Sequence, residues 1–268
     1  MRIRITHRTD YRYNPPAAGV IQVLRVTPRN HEGQYVVRWR IDVSTDARLA
    51  THEDAFGNIS HVFSTDGPIS ELCVELDGEI ETQNTDGVLR GTVEPFGPSL
   101  FLRDTALTEA DAAIRDFAQG VRAAKGGEVL SELHGLLDGL YEDMAHDGEA
   151  SQGAATAAEA FALKHGTCRD LSHIFIGAAH ALGIPARYVA GYFRRDDASV
   201  TQHAGHAWAE AFVPDLGWVA FDPANGFCPT DAHVRVAIGL DSLGAAPMRG
   251  MRFGAGAETL AVAIKVGQ

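Results

Sequence analysis

Residues 165–185 read HGTCRDLSHIFIGAAHALGIP, and the reading of this stretch decides the rest. Leu171, Ile174, Phe175, Ala178, Ala179 and Leu182 recur at the spacing of one apolar helix face. Gly183 and Pro185 follow as stop signals. The spacing predicts a helix that starts at Cys168. First-turn N–H groups have no intrahelical partner, and the helix dipole favours negative charge there. A cysteine so placed is a candidate thiolate, and the same N–H groups can receive an oxyanion. A lone cysteine is more commonly a small buried hydrophobe. Cys168 therefore needs a base and an orienting acid elsewhere in the chain.

Candidates for both lie in GHAWAEAFVPDLGWVAFDPANG, residues 205–226. Alternation predicts a strand at 206–213 with His206, Trp208, Glu210 and Phe212 on one side. Ala207, Ala209 and Ala211 form the other side, small enough to lie against a helix. A second strand, GWVAFDP, follows PDLG. A hairpin turning about residue 214 sets His206 opposite Asp222. One turning about residue 215 sets Asp222 opposite Trp208 and diagonal to His206. Both keep the pair on one face and close enough to interact. A two- or four-residue turn would separate them unless a bulge intervened. Glu210 is the competing acid. Trp208 and Trp218 either wall a groove or pack in the core.

The first hundred residues alternate in short runs: 1–13, 20–28, 34–45, 59–65 and 69–82, with PP, NHEG, FGN and DGP as turn signals. That pattern predicts an antiparallel sandwich or barrel. Helical spacing follows, first from Thr108, then over 126–147 and 155–166, before strands return at 186–193. The class is therefore α+β. We expect a β-rich domain over residues 1–104 and a second domain over 105–268, with 256–268 adding a strand to either. His7, His31, His52 and His61 read as surface or structural residues. His173 and His180, seven apart on one helix face, are weak metal candidates. The polar segment 194–205 reads as a surface loop or a lid, and Arg169, which opposes the helix dipole, calls for a partner elsewhere in the chain.

A net charge of -12 over 268 residues argues against a nucleic-acid binder, because phosphate binding needs clustered Lys and Arg. No run of eighteen or more apolar residues predicts a membrane span. The N-terminus lacks a signal-peptide stretch, so a cytoplasmic location is expected. Cys73, Cys168 and Cys228 are widely spaced, without a disulfide framework or CxxC pair. No DxDxDG-type loop predicts calcium. No cofactor and no metal are expected.

The blocks HGTCRDLSHIFIGAAHALGIPARYVAGYF and GHAWAEAFVPDLGWVAFDPANG resemble the catalytic core of bacterial transglutaminase-like proteins, in the papain-like cysteine superfamily. The strands around Tyr11–Tyr13 and VLRVTP resemble the β-rich region that precedes this core. The resemblance implies helices packed on an antiparallel sheet, with Cys168 as nucleophile, His206 as its partner and Asp222 as orienting acid. Thr167 stands where such proteins more often carry a small apolar residue, and DPANG stands for the usual DPTNG. The implied chemistry is acyl transfer or hydrolysis at a peptide or carboxamide bond, on a protein or peptide substrate. Water as acceptor gives a protease or amidase, and an amine gives a transglutaminase. The Cys168 backbone N–H would contribute to an oxyanion hole, with Gln152 a weak second candidate.

Two alternatives come from other classes. One is a metal-dependent hydrolase with Cys168, His206 and Asp222 as zinc ligands, which a chelator would inactivate. The other is a non-enzymatic interaction module with a relic triad. Iodoacetamide labelling across a pH series separates them. Cys168 is expected to label preferentially, with a thiolate pKa below the free value of about 8.5. That pKa should rise in His206→Ala, and equal labelling of Cys73 and Cys228 would contradict the nucleophile reading.

Overall fold

The computed structural model describes residues 1–147, 156–195 and 201–268. Two strands form the spine of the N-terminal part: β1 (Arg2–Thr27) and β4 (Ile59–Thr82). Each is one long strand where the sequence suggests two, because PP and DGP do not reverse the chain. They fall opposite one another in an antiparallel ladder: Arg12 pairs Glu71, the register shifts, and pairing resumes at Ala17 with Ile69 and Gly19 with Asp66. Proline has no N–H to give a ladder, so both strands bulge where they meet. β2 (Gln34–Val43) and β3 (Ala50–Glu53) pair with successive parts of β4.

Three helices come next: α1 (Ala112–Lys125), α2 (Val129–Asp143) and, after the short β5 (Ala145–His146), α3 (Ala157–Leu163). α1 starts after Asp111, whose carboxylate accepts from the Ile114 N–H at 2.9 Å, and not at Thr108. β6 (His165–Gly166) pairs with β5 in parallel and leads into α4 (Cys168–Ala181). The antiparallel strands β7 (Ala186–Phe193), β8 (His206–Val213) and β9 (Gly217–Phe221) follow, then β10 (His233–Gly239), in the spatial order β10-β7-β8-β9. α4 packs on β8, and the buried Ala207, Ala209 and Ala211 leave room for it, as the alternation suggests. β10 and β11 (Met248–Phe253) are strands the sequence reading passes over. β11 and β12 (Ala257–Gly267) both pair with β1, so the C-terminal strand joins the N-terminal sheet. Among the described residues, no helix is long and apolar enough to cross a membrane.

One apolar core runs through both parts and includes Ile3, Ile5, Leu72, Leu136, Phe175 and Phe221. β10 is an edge strand, and an edge leaves backbone groups unpaired. Side-chain amides of the N-terminal part complete it. The Gln34 amide donates to the Arg235 carbonyl at 2.9 Å and accepts from the Arg235 N–H at 2.8 Å. Asn58 does the same for Ile238, with both bonds at 2.8 Å. His7 and Tyr192 add a 2.9 Å contact between β1 and β7.

Behind the sheet, Arg187 and Glu210 are both 0% exposed. Glu210 accepts from Arg187 Nε at 2.7 Å and from Arg235 at 2.6 and 3.1 Å. The remaining Arg187 nitrogens reach Glu94 at 2.6 and 2.9 Å, and its guanidinium lies 3.8 Å from the Trp218 ring centre. Burial alone would raise the Glu210 carboxyl, but Arg235 and Arg187 pull it far below the ordinary range. Breaking such a group on one side leaves a charge buried without its counter-charge. Glu210→Gln should therefore cost about 3–5 kcal/mol, read as a lower midpoint in urea unfolding; an unchanged midpoint would contradict this account.

Candidate active site

Cys168 opens α4 and is half-buried. The turn before it is locked by Asp170, whose Oδ2 accepts from the Thr167 N–H at 3.0 Å and the Thr167 hydroxyl at 2.7 Å. That is a use for the unexpected Thr167, since an apolar residue there could not make the second bond. The β5–β6 bridge sets His146 opposite Gly166 and brings its side chain into hydrogen-bond contact with Cys168.

In the β8–β9 hairpin Ala209 pairs with Phe221 and Ala211 with Val219. This is the turn about residue 215, which puts Asp222 diagonal to His206. Their side chains meet, His206 Nε2 to Asp222 Oδ2, at 2.6 Å. With Nε2 so committed, Nδ1 is the nitrogen left for Cys168, with which His206 is hydrogen-bonded. Opposite His206 stands Gly191. A Cβ there would come within 2.2 Å of the Val234 carbonyl oxygen and 2.6 Å of the Trp208 ring.

DPANG is a closed loop around Asp222. Its backbone carbonyl accepts from the Gly226 N–H at 2.9 Å, and its N–H donates to Phe227 at 3.0 Å. Its Oδ1 accepts from the Ala224 N–H at 3.1 Å, and Oδ2 accepts from the Asn225 amide at 2.7 Å. Gly226 adopts φ +72°, and a side chain there would meet the ring of Tyr141.

A second histidine reaches the same carboxylate. His233, at the start of β10, contacts Asp222 Oδ2 through Nε2 at 3.0 Å. Its Nδ1 accepts from the Thr230 N–H at 3.1 Å, so the proton is on Nε2 and points at Asp222. Phe193 lies 4.5 Å from the His233 ring and Trp208 5.4 Å, edge to face. The sequence reading misses His233 and Asn225. The alternation of HVRVAIG was available to mark β10 as a strand, but nothing local marked its first residue as a partner of Asp222.

These contacts separate the three cysteines. At Cys168, burial raises the thiol, but the His206 charge and the hydrogen bonds of His146 and His206 outweigh it and bring it to about 6. Burial works the other way on His206, where Asp222 and the Cys168 thiolate prevail and raise the imidazole to about 10. Asp222, despite burial, is held well below the usual carboxylate range by His206 and His233. Neutral pH therefore favours a thiolate–imidazolium pair. Cys73 and Cys228 are pushed up to about 11, by burial first and nearby carboxylates next.

The other candidates resolve as follows. Glu210 is committed to two arginines and is not the acid beside His206. Trp208 and Trp218 are buried in an apolar cluster behind the sheet, not exposed on a groove. His180 bonds Asp104 at 2.8 Å and the Ala186 carbonyl at 3.2 Å; His173 accepts from the Ser242 N–H at 3.0 Å. The pair shares no ligand-like arrangement. Arg169 Nε bonds Asp170 at 3.2 Å. Gln152 lies outside the described residues, as do residues 196–200 of the polar loop. Within that loop, Gln202 exchanges two 2.8 Å backbone bonds with Ile264 of β12.

His206, Asp222 and His233 bring one ligand-type atom each within 4.8 Å of one another. The donor set does not suit a cation. His233 Nε2 carries a proton, and Asp222 Oδ2 already accepts from His233, His206 and Asn225. The zinc alternative fares no better, because His206 stands between Asp222 and Cys168 with a nitrogen committed to each.

Residues 3–81 match the family described as the bacterial transglutaminase-like N-terminal region, and residues 115–223 match the transglutaminase-like superfamily. An uncharacterized protein of Mycobacterium leprae is 27% identical over 279 residues, covering 99% of this chain and 98% of its own. One from Mycobacterium tuberculosis is 26% identical, covering 94% and 88%. Among solved structures, a Cytophaga hutchinsonii protein provisionally designated a cysteine protease superposes with a TM-score of 0.76 at 18% identity. That match covers 100% of this chain and 90% of the other, and it establishes the shared fold.

The geometry makes a prediction about His233. His233→Phe keeps a ring between Phe193 and Trp208 but removes the N–H donated to Asp222. Losing a hydrogen bond to a buried charged group costs about 1.5–3 kcal/mol. That loss should lower the midpoint of urea unfolding, with the His233→Gln profile falling between those of the variant and wild type. Superimposable profiles would mean that His233 only fills space.

Proposed function

From a chain that belongs to the transglutaminase-like superfamily, its core preceded by the bacterial N-terminal region, we propose a cysteine-dependent enzyme that attacks peptide or carboxamide carbonyls through Cys168, His206 and Asp222. The observation that carries this reading is geometric: His206 lies between Cys168, at the start of α4, and Asp222, which its Nε2 meets at 2.6 Å, an arrangement that lowers the Cys168 thiol and raises the His206 imidazole. Opposite shifts in adjacent groups are how acid and base roles are divided at one pH.

The Cys168 thiolate adds to the carbonyl carbon, and the charge moves to oxygen. The Cys168 N–H at the start of α4 faces that oxyanion and stabilises it. As the C–N bond breaks, the His206 imidazolium gives its Nδ1 proton to the departing amine, leaving an acyl-thioester and a neutral imidazole. Water or a second amine then attacks the thioester while His206 takes its proton. Collapse expels the Cys168 thiolate and restores the ion pair. Asp222 accepts from Nε2–H throughout, which holds the ring in register and stabilises its charged form. The substrate in this reading is a protein or peptide.

A peptide mixture containing glutamine side chains and internal peptide bonds, with hydroxylamine as acceptor, tests the reaction. Hydroxamates at glutamine indicate side-chain amide attack, and new chain ends indicate peptide cleavage. Cys168→Ala and His206→Ala should each lose about a thousand-fold or more in rate. Wild-type activity should rise with pH through about 6, as the thiolate forms, and fall near 10, as the imidazolium is lost. Turnover retained by Cys168→Ala would overturn the assignment.

A further inference from the structure

Next to the triad the surface opens into a cleft of about 600 Å³, within the range of small-ligand sites. Its lining includes His146, Phe193, Arg194, Arg195, Asn225 and Phe227. His146 is bonded to Cys168 and Asn225 to Asp222, so the cleft opens on the nucleophile. The charge of this lining runs against that of the chain. The protein carries -12 overall, yet among the described residues that line the cleft there are two arginines and no carboxylate.

The described acids around it are committed elsewhere. Asp147 bonds His165 at 2.7 Å, Asp222 is buried against His206, and Asp231 faces the N-terminal ammonium at 3.8 Å. The chain enters the cleft through Arg194, whose N–H donates to the Ala232 carbonyl at 2.9 Å, and the exposed Arg195 follows. Phe193 and Phe227, with ring centres 6.3 Å apart, supply apolar surface next to this charge.

We propose that the cleft selects substrates bearing a carboxylate close to the amide attacked, with Arg195 as the principal selector. A guanidinium presents paired donors that match the two oxygens of a carboxylate. An anion that the protein as a whole repels is thereby accepted at one place, next to the sulfur. The carboxylate is either an acidic side chain or a free C-terminus. The inference rests on Cys168 being the nucleophile.

Two alkylating reagents of nearly equal size test it without a known substrate. Iodoacetate is an anion and iodoacetamide is neutral, so the ratio of their rates at Cys168 reports the field at the sulfur. Arg195→Ala should lower the iodoacetate-to-iodoacetamide ratio about three-fold at low ionic strength, and Arg195→Glu about ten-fold. Arg195→Lys should restore most of it, and salt should shrink the differences. Peptides then distinguish the source of the carboxylate. If a side chain is recognised, Asp or Glu beside the amide raises kcat/KM; if a terminus is recognised, C-terminal amidation lowers it. Labelling by iodoacetamide with a ratio insensitive to Arg195 overturns this proposal alone. Failure of both reagents to label Cys168 overturns the nucleophile reading with it.

Discussion

A carboxylate shut away from water must be surrounded by donors, and the site is built around meeting that demand for Asp222. Its side chain is 0% exposed. The Ala224 N–H, the Asn225 amide and two imidazole N–H groups all point at it. An unpartnered buried charge would cost several kcal/mol or neutralise itself by taking up a proton. With this many donors it stays ionised, and an ionised Asp222 keeps His206 charged. A charged His206 in turn draws the Cys168 thiol down. The chain of cause runs from the DPANG loop to the sulfur, each step set by the charge before it.

The same demand explains why the N-terminal sheet is more than an appendage. His233 can donate to Asp222 only if β10 is held in place, and β10 is an edge strand. Gln34 and Asn58 bond its backbone at Arg235 and Ile238, so the N-terminal part completes an edge that the core sheet leaves open. Glu210, on the face of β8 that carries His206, ties the same strand through Arg235. The two parts also share an apolar core. Position in the core, more than proximity in sequence, decides which residues act together.

Much of this was legible beforehand because it depends on local rules. A 3.6-residue apolar period with a Gly-Pro stop needs no tertiary information, and it placed the helix start at Cys168. Alternation separated the alanine face of β8 from the face bearing His206, and the turn between β8 and β9 allowed two registers that both put His206 and Asp222 together. The long strands were harder. Proline reads as a turn wherever it stands, and only the pairing of β1 with β4 shows that both interruptions share one bulge. β10 escaped notice although HVRVAIG alternates, and with it His233. Glu210 looked like a rival acid until its two arginines came into view from 23 and 25 residues away.

By itself, then, the amino-acid order determined the elements that present a nucleophile, a base and an acid, since helix caps and strand alternation are properties of neighbouring residues. It also determined the acidic net charge. Tertiary structure alone decided which carboxylate serves His206, that a second histidine shares it, and that Arg194 and Arg195 line a cleft beside Cys168. Those outcomes depend on residues far apart in the chain, and on burial, which sets the strength of every charge in the site.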